Sequence, residues 1–267
     1  MAAIRLMRKV DVDAVRQLEA AAFAAWWRQW RGGSGQPPRR TRTTVLASRE
    51  KDPEGCFVAE ADGSVVGSIF SRTWGAVGWF GNLVVLPAFQ GRGLGNHLIS
   101  ASLAYLRQDP GRLIGLETMP ESPYNLGLHL SMGFQARLPT MLLTKELDGS
   151  TVDNIEVARW SSADAGTQQR WLADLREAVA QIRTGLDYSK EIISNARHGL
   201  GETLVLIEGT KAIGSSTVML VSGREGSCEQ RAASRFWPCI RLTLKRRPFG
   251  CSFSPARAWR MLTGSRS

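Results

Sequence analysis

Leu83-Val84-Val85-Leu86-Pro87-Ala88-Phe89-Gln90-Gly91-Arg92-Gly93-Leu94-Gly95-Asn96-His97-Leu98 reads as an apolar strand that stops at a proline, then a glycine-rich turn, then the opening of a helix. The first backbone N–H groups of a helix have no partner inside it and sit at the positive end of its dipole, so they attract phosphate oxygens. Gly91, Gly93 and Gly95 let the main chain approach a diphosphate where a Cβ would intervene. The stretch therefore predicts a site for a molecule that carries a pyrophosphate. A dinucleotide-binding turn is the rival reading, because Glu117 follows the last glycine at about the twenty residues expected of a ribose-binding acid. The spacing argues against it. The glycines run G-x-G-x-G rather than G-x-G-x-x-G, Pro87-Ala88-Phe89 separates them from the strand, and no strand-helix-strand unit begins here.

Working outward, Ile4, Leu6 and Val10 suggest an opening strand, and Asp11 or Asp13 caps a helix carrying Val15, Leu18, Ala22 and Trp26 at helical spacing. Residues 32–40 are loop by composition. Asp62-Gly63 between two apolar runs, 56–61 and 64–70, is a hairpin signal, and a third strand covers about 77–85. After the glycine turn come a helix with Leu94, Leu98, Ala101 and Tyr105 on its buried face, a strand at 113–118 and a short helix near 126–132.

This order and the run Val85-x-Pro87-x-x-Gln90-x-x-Gly93-x-Gly95 resemble the GNAT acetyltransferase superfamily, whose signature is written V-x-P-x-x-(Q/R)-x-x-G-x-(G/A). The Gly133-Phe134 pair stands where the family carries one, and the resemblance spans about residues 3–146. It implies acetyl-CoA as the acyl donor and an amine acceptor, small molecule or peptide, attacked directly. It also implies a mixed, mainly antiparallel sheet flanked by helices, in the α/β (α+β) class. The pyrophosphate then falls to Gln90, Gly91, Arg92, Gly93, Leu94, Gly95 and Asn96, and the pantetheine arm to the main chain of Leu83, Val84 and Val85, with Asn125 as a further contact.

At the family's tyrosine position, five residues before the Gly-Phe phenylalanine, this chain has His129, the candidate proton donor to the leaving sulfur; Tyr124 is a second candidate. The strand at 79–82 holds no carboxylate, so Glu117 is the nearest candidate base, with a water-relayed group as the alternative. In the family the first helices and the loop between them select the acceptor. Here they supply Trp26, Trp27 and Trp30 beside Arg28, Arg31, Arg39, Arg40 and Arg42, either an aromatic and cationic receptor or a buried face followed by a solvated loop.

The 267 residues exceed the usual ~100–200 of one domain, which allows two units. Ile4, Arg8, Asp13 and Ala14 recur in the same spacing as Ile155, Arg159, Asp164 and Ala165, and residues 57–68 align with 204–215. The expected division is a CoA-binding unit over 1–150, an incomplete second GNAT-like unit over 151–222 and an Arg-rich tail over 223–267. The second unit lacks a glycine loop, so it should bind no CoA of its own. Its hairpin face, read as Leu204, Leu206 and Ile213, should dock on the first unit or on a second copy of the chain.

Of the net charge of +10, nine Arg and one Lys against Glu225 and Glu229 leave +8 in the tail. Nucleic-acid binding thus stands on the tail alone, whose rival readings are a disordered extension and an out-of-frame end; no such partner is expected of the rest. No uncharged run reaches the ~18 apolar residues of a membrane span and the N-terminus is charged, so a cytoplasmic protein is expected. Cys56, Cys228, Cys239 and Cys251 lack metal-ligand spacing and disulfide density, so neither metal nor disulfide is expected.

Overall fold

The computed structural model of the chain describes residues 2–31, 39–118, 122–135 and 156–219. The basic tail and Cys228, Cys239 and Cys251 lie outside them, as do the side chains of Trp26, Trp27, Arg28, Trp30 and Arg31.

Five strands form the first sheet in sequence order: β1 (Ala3–Leu6), β2 (Cys56–Ala61), β3 (Ser64–Trp74), β4 (Val77–Val85) and β5 (Leu113–Leu116). The first four run antiparallel, and β5 lies parallel to β4 after a crossover through a helix, α3 (Leu94–Leu106). A strand-helix-strand unit thus does begin at the glycine turn, contrary to the sequence reading, which followed the glycine spacing rather than the pairing of the later strand. Asp62 and Gly63 both take positive φ in the β2–β3 turn, the conformation an Asp-Gly hairpin selects. On one face of the sheet α3 buries Leu94, Leu98, Ile99, Leu103 and Leu106 against Ala59, Val66, Ile69 and Phe80. On the other, α1 (Val12–Arg31) and α2 (Arg42–Lys51) close over Phe70, Val58 and Cys56 with Val12, Val15 and Val45. The sequence reading leaves α2 unassigned, because only one narrow stripe of that polar segment is apolar. A short helix, α4 (Pro123–Ser131), follows β5.

A second, three-stranded sheet consists of β6 (Glu156–Arg159), β7 (Gly201–Glu208) and β8 (Lys211–Met219), with α5 (Ala165–Ala180) and α6 (Ser189–His198) between its first two strands. Strand, short 3-10 turn, two helices and hairpin thus follow one another in both halves of the chain. The hairpin faces differ from the sequence reading by one residue of register. Val205 and Ala212 are buried, packed with Ile207 against Trp160, Leu175 and Ile192, whereas Leu204, Leu206 and Ile213 are only half-buried. Alternation along a strand puts neighbours on opposite faces, and a run apolar at every position hides which set turns inward.

The two halves meet through α6 and the loop before it. Lys190 Nζ donates to Asp52 Oδ1 at 2.7 Å and Thr73 Oγ1 at 2.6 Å, and Trp74 Nε1 donates to Glu191 Oε1 at 3.0 Å. Val179, Leu186 and Tyr188 pack on Trp74, Val77 and Trp79.

Candidate acyl-CoA site

β4 and β5 pair only from Val77↔Leu113 to Phe80↔Leu116. Beyond that point β5 ends, and β4 continues to Val85 with β3 on one edge and, among the described residues, no strand on the other. That edge offers backbone donors and acceptors to an extended ligand. The departure coincides with a bulge: Ser68 faces Val84 and Phe70 faces Gly81, so Asn82 and Leu83 stand opposite the single Ile69. Asn82 takes φ of 50°, left-handed backbone that asparagine tolerates better than most residues.

The chain then makes a 3-10 turn at Pro87–Phe89 and reaches Gly93, which caps α3 at φ 78°. The first bond of that helix runs from His97 N–H to the Gly93 carbonyl, so the N–H groups of Leu94, Gly95 and Asn96 have no partner inside it. Gly91, at φ 72°, would meet nothing within 4 Å if it carried a Cβ, and Gly93 only His97 Cε1 at 3.9 Å. The turn is therefore exposed, with open space over Gly91 and Gly93. Gln90 is part of its frame, donating from Nε2 to the Val85 carbonyl at 2.9 Å, and Arg92 stacks over Phe89 with 5.4 Å between guanidinium carbon and ring centre. Glycines where side chains would stand, unpaired N–H groups and a nearby cation make a site that fits a diphosphate, and the bare edge of β4 fits the amide-bearing arm of CoA.

His129, on α4, is buried between Phe80 and Phe134, with ring centres 6.0 and 6.2 Å away. Its Nδ1 is buried without a hydrogen-bond partner, and burial holds its pKa below the ordinary histidine value. Asn125 is half-buried, its N–H bound to the capping Ser122 Oγ, whereas Tyr124 is 71% exposed and Glu117 is exposed just beyond β5. His129 thus reaches the core behind β4, while Glu117 and Tyr124 stand in solvent.

One group escaped the sequence reading. Glu19 continues the buried stripe of Val12 and Val15 along α1 yet is a carboxylate, only 4% exposed. Its Oε1 accepts from Arg40 Nη1 at 2.8 Å, while Oε2 is buried with no geometric hydrogen-bond partner among the described residues. Burial raises its pKa above the ordinary carboxylate range, against the charges of Arg40 and Arg72 and the nearby Asn82 amide. An acid on an otherwise apolar helical stripe was the available signal.

A mainly antiparallel sheet whose fourth strand parts from a parallel fifth, beside a glycine turn at a helix N-terminus, is the architecture of GNAT acyltransferases. Residues 19–134 match the model of the acetyltransferase (GNAT) family, and this stretch of the chain belongs to that family. A crystal structure from Pyrococcus horikoshii assigned as an acetyltransferase aligns over 82% of this chain and 68% of its own, at 17% identity and a TM-score of 0.57, a likeness of fold. Also similar are the ribosomal-protein-S18-alanine N-acetyltransferase of Escherichia coli (20% identity, 52% of this chain and 80% of that one, TM-score 0.43) and an aminoglycoside N-acetyltransferase, AAC(6')-Iy, in complex with CoA (22%, 55% and 96%, 0.41). A comparison with curated proteins finds no match. No helix among the described residues is long and apolar enough to cross a membrane.

Proposed function

We propose that the chain is an N-acetyltransferase that moves the acetyl group of acetyl-CoA to an amine of a small molecule or peptide by direct attack, working in the cytoplasm. The observation that carries this reading is the joint placement of the open Gly91–Gly95 turn and the bare edge of β4 past Phe80. Gln90, Gly91, Arg92, Gly93, Leu94, Gly95 and Asn96 would hold the pyrophosphate, and Leu83, Val84 and Val85, with Asn125, the pantetheine arm. Acetyl-CoA, when bound, supplies the acetyl group already activated as a thioester. The chain's part is to orient it, exclude water and move protons. His129, neutral because burial disfavours its charged form, offers one ring N–H toward the departing sulfur. Glu117 and Tyr124 could act only through water. The second half, repeating β1 to β3 without a glycine turn among its described residues, is read as an incomplete GNAT-like unit that adds no second CoA site.

A CoA-binding module without turnover is the second reading, favoured by the exposure of both Glu117 and Tyr124. Thiol release from acetyl-CoA against a polyamine, an aminoglycoside and a peptide α-amine separates the two, and calorimetry tests the site. Wild type should bind one acetyl-CoA per chain and release thiol with at least one amine. Gly93→Glu, which puts a side chain and a negative charge into the turn, should lower affinity at least about 100-fold, some 2.7 kcal/mol, while the far-ultraviolet circular dichroism stays unchanged. Unchanged affinity in that variant would remove the assignment.

A further inference from the structure

The face of β4 turned toward α1 holds a set of polar groups that the CoA site does not use. Phe70, opposite Gly81, packs among Met7, Val12, Val15 and Val45, so Gly81 also faces the α1 and α2 layer. Among the described residues a Cβ on Gly81 would meet nothing within 4 Å, which leaves space beside the point where β4 leaves β5. Strand alternation puts Ser68 on the face of Phe70, and Ser68 Oγ, like Glu19 Oε2, is buried with no hydrogen-bond partner among the described residues. Asn82, in the bulge, has its side-chain amide within hydrogen-bonding reach of the Glu19 carboxylate, the neutral neighbour that an incoming amine would share it with. Buried polar atoms without partners on this face of the sheet are costly to keep unless something binds there.

The other side of Glu19 is fully committed. Arg40 Nη1 grips Oε1, and Arg40 Nη2 donates to Ser48 Oγ at 2.6 Å, while its guanidinium lies 4.8 Å over the Phe70 ring. This clamp fixes the carboxylate on α1 relative to α2 and β3, with Oε1 held by Arg40 and Oε2 turned to the Asn82 side, where a ligand can reach it. The other buried carboxylates among the described residues, Asp11 and Asp52, are spoken for at both oxygens: Asp11 by Arg5 and Arg8, Asp52 by Thr73, Tyr105 and Lys190.

We infer that Glu19 is the group that receives the acceptor amine and takes its proton, from the α1 side of β4 and opposite the glycine turn. This rests on the acetyltransferase reading above. The proton passes from the ammonium form of the acceptor to Glu19 Oε2, directly or across one water. The freed nitrogen lone pair forms the new N–C bond with the acetyl carbon as the C–S bond breaks. The electron pair of that bond goes to sulfur, which takes the His129 ring proton; the second nitrogen proton passes through solvent to restore His129, and Glu19 returns its own proton to solvent. A buried carboxylate whose pKa burial has raised is a stronger base than an exposed one, which suits it to an amine near neutral pH. The charged groups facing it are Arg40, from the segment before α2, and Arg72 of β3; both restrain the rise without reversing it.

The test uses acetyl-CoA and the amine that wild type turns over fastest. Glu19→Gln keeps the shape and an oxygen for Arg40 but cannot accept the proton. It should lower kcat/KM for the amine about 100-fold or more, with the acetyl-CoA Kd unchanged in calorimetry and the acid limb of the pH–rate profile gone. Gly81→Ala, which places a methyl group in the open space, should raise KM for the amine and spare acetyl-CoA binding. Activity of Glu19→Gln within threefold of wild type would overturn the assignment. So would a loss that comes with weaker acetyl-CoA binding or a lower melting temperature, which marks a structural ion pair, and so would an unchanged amine KM in Gly81→Ala. A wild-type chain that binds acetyl-CoA yet acetylates no amine overturns the transferase reading and the Glu19 role together. Turnover by wild type with an equally active Gln variant overturns the Glu19 role alone.

Discussion

His129 lies edge-on to Phe134 at 82° between ring planes and close to Phe80, a niche shaped for an aromatic ring that offers its Nδ1 no partner. Burial alone lowers its pKa from the reference 6.5, so the folded chain takes up this proton less readily than the unfolded chain. The sign follows from linkage: as pH falls through 6.5 the unfolded state binds the proton first, and stability is lost until the folded-state pKa is passed. His129→Phe fits the same niche without a titrating group. We expect its melting temperature to fall less steeply than that of wild type on acidification below 6.5, read by thermal denaturation across pH. The same variant should lower turnover with the acetyl-CoA Kd unchanged if the ring assists the leaving sulfur. Parallel pH dependences would place the acid sensitivity elsewhere. Cys56 behaves in the opposite sense: burial pushes its thiol up to about 12, and Sγ donates to the Asp52 carbonyl at 3.3 Å, so it is an inert core residue rather than a nucleophile.

At the scale of elements, what could be read in advance was what local covalent pattern dictates. Pro87 and the glycines ending at Gly95 decide backbone conformation within a few residues, and the period change at Leu94 marks α3 wherever it packs. The bulge in β4 was not legible, because it is a register relation between Ile69 and the pair Asn82-Leu83, set by two strands at once. Nor was the Glu19 cluster, which draws on α1, the segment before α2, α2 itself and β3; side chains at 19, 40, 48 and 70 become neighbours only after the helices close over the sheet. Asn82 makes the bulge testable. A β-branched residue at φ 50° clashes with its own main chain, so Asn82→Val should lose about 1–2 kcal/mol of stability in urea denaturation. Asn82→Gly, free to adopt this conformation, should stay within about 1 kcal/mol of wild type. Equal stabilities for the Val and Gly variants would mean that the left-handed turn does not set the bulge.

For the whole molecule, the question is whether the two halves unfold as one. The docking is tight at the β3–β4 turn: Ala76 N–H donates to the Gly185 carbonyl at 2.8 Å, and Gly75 forms an isolated bridge with Leu186. The apolar cluster of Trp74, Val77, Val179 and Leu186 spans the same seam, and Lys190 and Glu191 tie it electrostatically to Asp52 and Lys51. Cohesion of this kind couples the halves, because neither buries these side chains alone. Gly75 is the point of closest approach, where a Cβ would lie 2.0 Å from the Gly185 carbonyl oxygen on a backbone at φ 61°. Gly75→Ala must therefore push the second half away as well as strain its own turn. Gly63→Ala separates the two effects, since it imposes a similar strain at φ 75° with nothing within 4 Å to displace. In differential scanning calorimetry, wild type and Gly63→Ala should each melt in a single transition, the latter at lower temperature by the cost of left-handed alanine, about 1–2 kcal/mol. Gly75→Ala should resolve into two. Acetyl-CoA stabilises whatever folds around its site by RT ln(1 + [L]/Kd), so at a hundred times Kd it should raise one of those two transitions by about 2.7 kcal/mol and leave the other where it was. Two transitions that rise together would mean that the glycine turn depends on the second half for its shape.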